Sequence, residues 1–145
     1  GSLQLSDATA NKFYGWSVSN FTNPAVYATT ASVSDWTTAN IISMNGSTAP
    51  VAVGSAGSDS YNNTFGLSES FSSSSIGPIT ANYTTTLGAG ALKTYALQTL
   101  DTTIKIWAGK AKNDVASFAG GVVDYQLLVP AATAGTTYNF YLELP

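Results

Sequence analysis

The sequence predicts an all-β fold, a single-domain β-sandwich of jelly-roll or immunoglobulin-like type. Segments in which polar and apolar residues alternate recur along the chain, and this period of two is typical of strands with one buried and one solvated face. Clusters of Gly, Pro, Ser and Asn separate the segments, as turns separate the strands of sandwiches and barrels. The chain has 145 residues, of which 44% are hydrophobic. This length and composition suit one domain with one packed core.

Strands are predicted wherever residues alternate or form a short apolar run. These segments are residues 2–6, 14–18, 26–33, 41–44, 50–53, 64–71, 81–87, 100–106, 123–129 and 138–144. Helix is expected to stay below about 10%, against roughly a third in soluble proteins. Residues 92–100 have helical spacing but fit an approach to a strand equally well, and residues 113–119 are predicted to form one capped helical turn. Polar loops are predicted at residues 54–60, 72–78, 88–90 and 130–135.

The residue types point away from catalysis and from nucleic acid. The chain has no His and no Cys, so neither Ser-His or Cys-His catalysis nor thiolate metal sites are expected. The five basic residues are all Lys and form no cluster, which argues against binding of nucleic acid. The acids occur singly, as solvated carboxylates do. We therefore predict no enzyme activity, no catalytic residue and no cofactor. The acids are Asp7, Asp35, Asp59, Glu69, Asp101, Asp114, Asp124 and Glu143.

Metal binding and membrane insertion are also not predicted. Calcium sites need several carboxylate and carbonyl oxygens that converge on the ion. Asp59 with Asn62 and Asn63 is one candidate group, and Asn113 with Asp114 is another. Asn and Asp favour turns for their own sake, and we prefer that interpretation. No apolar run approaches the roughly 18 residues that a membrane span requires.

Three aromatic residues are candidates for stacking on sugar rings. Trp36 lies in a predicted loop, Trp107 has the opposite strand parity from Ile106, and Tyr141 has the outward parity of the last strand. Large aromatic residues more often fill cores, so a strand buried on both faces or a Trp closing the end of the sandwich is the preferred interpretation.

Four sequons are the most specific pattern in the sequence. Asn20, Asn45, Asn62 and Asn82 each fit the rule Asn-x-Ser/Thr without Pro, which marks acceptors for N-linked glycans. A chain rich in Asn, Ser and Thr also produces such matches by chance. Together with the low charged fraction of 9%, the sequons favour an extracellular or cell-surface location.

The end of the chain resembles a recurring ending of prokaryotic surface β-sandwiches. Residues 124–138 read DYQLLVPAATAGTTY, in which a strand closes on Pro, a short loop contains AGT and a Tyr leads the last strand. The whole chain is similar in size, composition, sequons and first strand to the subunits of archaeal extracellular filaments of the thread or bundling-pilus type. That resemblance implies a sandwich completed by the N-terminal strand of a neighbouring subunit, and hence copies of the chain as its partners.

The beginning of the chain suggests how such an assembly would form. Residues 1–11 are predicted to be a strand and a polar spacer, and residues 12–145 a β-sandwich domain. Leu3, Gln4 and Leu5 are the predicted donor-strand interface, because an added strand gains main-chain hydrogen bonds and side-chain pockets. The alternative is that the leucines pair within their own sheet.

Two functions follow from these expectations. The leading hypothesis is a structural subunit of an extracellular filament or pilus-like surface assembly, a homopolymer formed by strand donation. The alternative is a carbohydrate-binding or adhesion domain of a larger cell-surface protein, with surface glycans or other cells as its partners.

Overall fold

The computed structural model describes residues 2–8, 13–15, 24–50, 65–85, 92–116, 121–128 and 136–143. Within these ranges the chain forms twelve β-strands and one 3-10 helix, Gly46–Thr48. The prediction of an all-β single domain is confirmed. The strands are β1 Ser2–Ala8, β2 Phe13–Gly15, β3 Ala25–Thr29, β4 Ile41–Ser43, β5 Leu67–Phe71, β6 Ile79–Thr84, β7 Tyr95–Thr99, β8 Lys105–Lys110, β9 Val115–Ala116, β10 Val122–Val123, β11 Gln126–Leu128 and β12 Thr136–Leu142.

One large antiparallel sheet organises the described residues. Its strand order is β1-β12-β3-β8-β7-β6-β5. β4 pairs with residues 97–99 of β7, and β6 pairs with Tyr95 near the start of the same strand. Two small sheets, β2–β11 and β9–β10, complete the architecture. Strands from opposite ends of the sequence are therefore neighbours, with β1, β12 and β3 side by side.

Both faces of the large sheet are covered by other parts of the chain. All five residues of β3 are buried, as are Ile106, Trp107 and Ala108 in β8. These strands are therefore apolar on both sides. The Trp107 face comprises Val26, Ala28, Met44, Phe65, Ala96, Trp107, Ala111, Tyr125, Leu127, Leu128, Tyr138 and Phe140. The Tyr27 face comprises Ala25, Tyr27, Val33, Ile41, Phe71, Ile76, Ala81, Leu97, Ile106 and Ala108.

The Trp107 face is covered by the layer that contains β11. Leu127 of β11 is fully buried and approaches β8 at Gly109. A Cβ atom at Gly109 would lie 2.9 Å from Leu127 Cδ2 and 3.2 Å from the carbonyl oxygen of Lys93. The missing side chain at Gly109 therefore lets the two layers pack directly against each other.

The Tyr27 face is covered by two loops, residues 30–40 and residues 72–78. Val33 from the first loop and Ile76 from the second are both buried in this face. The loops are joined where the amide of Gly77 donates to Thr38 Oγ1 at 2.7 Å. Both loops are thus held to the sheet and to each other.

The turn between β7 and β8 corrects one predicted strand. Residues 100–106 were expected to alternate as a strand, but β8 begins only at Lys105. The Asp101 carboxylate accepts hydrogen bonds from Thr99 Oγ1 at 2.6 Å and from the amide of Thr103 at 3.1 Å. Thr102 adopts a φ of 66°. This side-chain capping favours a turn over continued strand pairing.

Two further segments differ from their predictions. Residues 113–119 were expected to form a helical turn, yet Val115–Ala116 is strand β9, paired with β10. Asp114 precedes it with a φ of 46°, which turns the chain without starting a helix. The segment at 123–129 is divided between β10 and β11, because Asp124 and Tyr125 lie between them outside either strand. The ambiguous residues 92–100 contain strand β7. The predicted loops at 54–60, 88–90 and 130–135 lie outside the described residues.

Candidate functional site

A groove opens on the Tyr27 face, between the end of β12 and the two covering loops. Its volume is about 180 Å³. Liquid water occupies about 30 Å³ per molecule, so the groove has room for a ligand group of only a few heavy atoms. It is lined by Tyr27, Trp36, Ser75, Tyr141, Leu142 and Glu143.

Three aromatic rings form the wall of this groove. The ring of Trp36 lies with its centroid 4.5 Å from that of Tyr27 and 5.0 Å from that of Tyr141. Trp36 is held in place by its Nε1, which donates to the carbonyl oxygen of Val33 at 3.1 Å. The ring pairs are tilted by 37° and 57°, so the rings form an angled wall rather than a flat platform.

The Glu143 carboxylate is the acidic group of the groove. Its Oε1 accepts from the amide of Ser75 at 2.6 Å, and its Oε2 accepts from the hydroxyl of Tyr27 at 2.9 Å. The Tyr27 hydroxyl also lies 2.9 Å from Ser73 Oγ, which in turn accepts from the amide of Ile76 at 3.1 Å. The carboxylate thus joins the end of β12 to β3 and to the loop at 72–78.

The hydrogen bonds keep this carboxylate ionised. Burial acts to raise the pKa of Glu143, but the hydrogen bonds from Ser75, Ser73 and Tyr27 outweigh it and hold the pKa below its usual value. Burial raises the pKa of Tyr27 far above its ordinary value of 10, and the nearby charge of Glu143 acts in the same direction. Tyr27 therefore stays protonated and acts as a donor.

Lys110 is the nearest cation that acts on this group. Burial lowers the pKa of Lys110, and the charge of Glu143 opposes that shift. The Lys110 ammonium lies 5.4 Å from the centroid of the Phe71 ring. Among the described residues the one ion pair within 4 Å joins Lys93 to Glu69, so Lys110 and Glu143 are not in direct contact.

The structure brings together two of the three aromatic residues predicted to bind sugar. Trp36 and Tyr141 meet in the groove. The third prediction is wrong, because Trp107 is only 1% exposed and packs against Phe65 with ring centroids 5.6 Å apart. Its parity places it on the second buried face of a strand, which was the preferred alternative.

Sequence reasoning missed the polar half of the groove. Glu143 is one acid among eight, and Ser75 lies in what looks like a plain Ser-rich loop. Tyr27 is separated from Glu143 by 116 residues. The available signal was parity, since Tyr141 and Glu143 share the outward face of the last strand, but nothing in the sequence brings Tyr27 or Ser75 to it.

The β1–β12 edge contains the predicted donor-strand residues. Leu3 pairs with Phe140, Gln4 with Asn139 and Leu5 with Tyr138, in antiparallel register. Phe140 and Tyr138 are each 2% exposed. β1 is the edge strand of the large sheet and pairs only with β12. The two leucines therefore oppose the two buried aromatic residues of β12.

Two of the four sequons lie among the described residues, and both are exposed. Asn45 and Asn82 are also neighbours, because Asn82 Nδ2 donates to the carbonyl oxygen of Met44 at 3.4 Å. The amide of Asn82 is held by Ser43 Oγ at 2.8 Å. Asn20 and Asn62 lie outside the described residues, as do the candidate calcium ligands near Asp59.

The other acids of the described ranges have structural partners. The Asp124 carboxylate, buried at 6% exposure, accepts from the amide of Asp114 at 2.9 Å. Asn113 and Asp114 therefore belong to a turn held by Asp124, as their composition favoured. In the described part of the chain, no group of three or more His, Cys, Asp or Glu residues is placed to hold a metal ion. Its only helical element is far too short to cross a membrane.

Comparison with known proteins gave no match. No family model, no curated protein and no solved structure is significantly similar to this chain. Function is therefore inferred from the groove and from the β1–β12 edge.

Proposed function

We propose that this chain is a structural subunit of an extracellular filament or pilus-like surface assembly, and that copies join by exchanging strand β1. The single observation that supports the proposal is the position of β1. It is the first strand of the chain, it lies at the edge of the large sheet, and β12 is its only partner. Such a strand can leave its sheet without displacing any other strand.

Exchange between copies keeps the pairing that the structure describes. In the assembly, β1 of one copy lies against β12 of the next in the same register, with Leu3 opposite Phe140 and Leu5 opposite Tyr138. Every interaction within the sheet is retained, which is why exchange of an identical element is a low-cost route to association. Because each copy both donates and accepts, a contact that does not close on itself gives a fibre.

The expected strength of the contact comes from backbone pairing and from leucine burial. Each net main-chain hydrogen bond contributes about 1 kcal/mol. Burying a leucine side chain contributes roughly 1.5–3 kcal/mol. A copy that has lost β1 exposes the edge of β12, an unfavourable state that further favours a donated strand.

The experiment compares the chain with two variants that disable β1. One variant lacks residues 1–11, and the other carries Leu3→Asp and Leu5→Asp. Both are expected to remain monomeric in size-exclusion chromatography with light scattering, whereas the unaltered chain forms large species that negative-stain microscopy shows as fibres. Monomeric unaltered chain at all concentrations would contradict the proposal.

A matched control places the same charges away from β1. Leu67 and Leu100 are exposed by 37% and 59%. The double variant Leu67→Asp and Leu100→Asp has the same change in charge and composition, and it should assemble as the unaltered chain does. Loss of assembly in this control would mean that added negative charge, rather than β1, determines the result.

The alternative function, a carbohydrate-binding or adhesion domain, has weaker support. Stacking on sugars is best served by coplanar exposed rings, whereas Trp36 and Tyr141 are tilted by 57° and Trp107 is buried. Binding on a glycan array that is lost in Trp36→Ala would favour this function. We expect no enzyme activity, because the chain lacks His and Cys.

A further inference from the structure

The groove contains a negative charge that no cation of the described chain pairs directly. The partners of the Glu143 carboxylate are neutral donors, the Ser75 amide and the Tyr27 hydroxyl. The one ion pair within 4 Å in the described ranges lies elsewhere, between Lys93 and Glu69. A carboxylate that is held ionised in this way attracts a positively charged ligand.

The aromatic wall favours the same kind of ligand. The faces of Trp and Tyr rings carry a negative electrostatic potential, and a cation within about 6 Å of a ring centroid is attracted to it. Trp36 and Tyr141 are both partly exposed and line the groove beside Glu143. Ring faces and a carboxylate at one small site are the elements from which organic cations are recognised.

The hydrogen bonds already made at Glu143 distinguish between kinds of cation. A primary ammonium has three N–H donors, each of which needs an acceptor. Both oxygens of Glu143 already accept hydrogen bonds from the protein. A quaternary ammonium has no N–H donor to satisfy, and its methyl groups can contact the rings and Leu142.

We propose that this groove binds a quaternary ammonium group of a small molecule, with Glu143 as counter-ion and the rings of Trp36 and Tyr141 as the contact surface. The volume of about 180 Å³ accommodates a trimethylammonium group. This inference is independent of filament assembly, since the groove is built from β3, β12 and the two covering loops and does not include β1 as a lining element.

The first experiment uses the unaltered protein and four probes. Choline is titrated while the amide signal of Ser75 and the indole signal of Trp36 are followed by NMR. A dissociation constant on the order of 1 mM is expected, because so small a ligand has limited binding energy. The comparison probes are 3,3-dimethylbutanol, a neutral molecule of the same shape, together with ethanolamine and glucose.

Choline is expected to bind about tenfold more tightly than 3,3-dimethylbutanol, since only choline carries the charge. Equal binding of these two probes would overturn the proposal in favour of a merely apolar groove. Binding of ethanolamine at least as tight as that of choline would overturn the preference for a quaternary ammonium. Shifts with glucose but not with choline would assign the groove to sugars, and no shift at either signal would leave no ligand site.

Three variants test the charges separately. Glu143→Gln should weaken choline binding by about tenfold, while Lys110→Gln should strengthen it, because it removes a competing positive charge. Glu69→Gln is the matched control on β5 and should change the affinity by less than about twofold. A tightening in Lys110→Gln is not expected of a structural role for Glu143 alone. Should Glu143→Gln fail to fold, the comparison of choline with its neutral analogue still decides the proposal.

Discussion

The two edge strands of the large sheet, β1 and β5, are held in different ways. β1 pairs with β12 opposite Phe140 and Tyr138, both deeply buried. β5 pairs with β6, and its register is irregular between Leu67 and Glu69. Glu69 forms an ion pair with Lys93, and most of β5 is exposed.

This difference indicates which edge can associate with another copy. Charged residues and irregular register on an edge strand discourage the addition of a further strand. β5 has both, and it is continuous with the buried Phe71 and the loop that carries Ile76. β1 has no such anchor after it within the described residues, because the next described segment is β2. The comparison predicts that association depends on the β1–β12 edge and that β5 takes no part.

The largest expected effect comes from the surface that receives β1. Phe140→Ala removes a buried aromatic side chain opposite Leu3, and such substitutions typically cost 3–5 kcal/mol. Urea unfolding should show a loss of about this size, and assembly should fall with it. Leu67→Ala, on the exposed part of β5, is the control and should change stability by less than about 0.5 kcal/mol. A small effect of Phe140→Ala would mean that β12 is not a central strand.

The next effect concerns acid and the end of β12. The hydrogen bonds of Glu143 hold its folded-state pKa below the unfolded value of about 4.5. Their stabilisation is therefore complete above pH 4.5 and is lost as the pH falls through the lower folded-state pKa. The stability advantage of the unaltered chain over Glu143→Gln should shrink below that pH in urea unfolding measured at several pH values. An advantage that grows on acidification would contradict the assigned hydrogen bonds.

The smallest effect is expected at the β5 edge. Replacing both Glu69 and Lys93 by Gln removes a partly exposed ion pair, and such pairs contribute about 0–1 kcal/mol. Stability should change within that range, and analytical ultracentrifugation should find assembly unchanged. A loss of assembly comparable to that of Phe140→Ala would show that β5 is part of the interface, and it would remove the contrast between the two edges.

The alternation of β12 was predictable because it reports burial directly. Tyr138 and Phe140 are buried and Thr137 is exposed, as the period of two predicts. The method reached its limit in the centre of the sheet. β8 is buried on both faces, so Trp107 gave an ambiguous signal that only its neighbours resolve.

The groove could be predicted only in part. Trp36 and Tyr141 were recognised as candidates from loop position and strand parity, but their meeting depends on β3 lying between β12 and β8. That arrangement is a long-range contact, which local patterns do not report. The turn at Asp101 failed for the opposite reason, since a local hydrogen-bonded turn overrode an alternation that was real in the sequence.

The central claim, exchange of β1 between copies, has a direct chemical test. The chain has no Cys, so an introduced pair is the only source of disulfides. Gln4 and Asn139 are directly opposed in the β1–β12 register. The variant with Gln4→Cys and Asn139→Cys is assembled, oxidised and run on a denaturing gel without reductant. Each single-Cys variant is oxidised in parallel to reveal contacts between like positions.

Strand exchange predicts a ladder of covalent multimers from the double variant and a new dimer when the two single-Cys variants are assembled together, because each disulfide then joins two copies. Reductant should return every band to the monomer. A double variant that oxidises completely yet migrates as a monomer, with no mixed dimer from the two single variants, would show that β1 pairs with β12 of its own chain and would contradict the account.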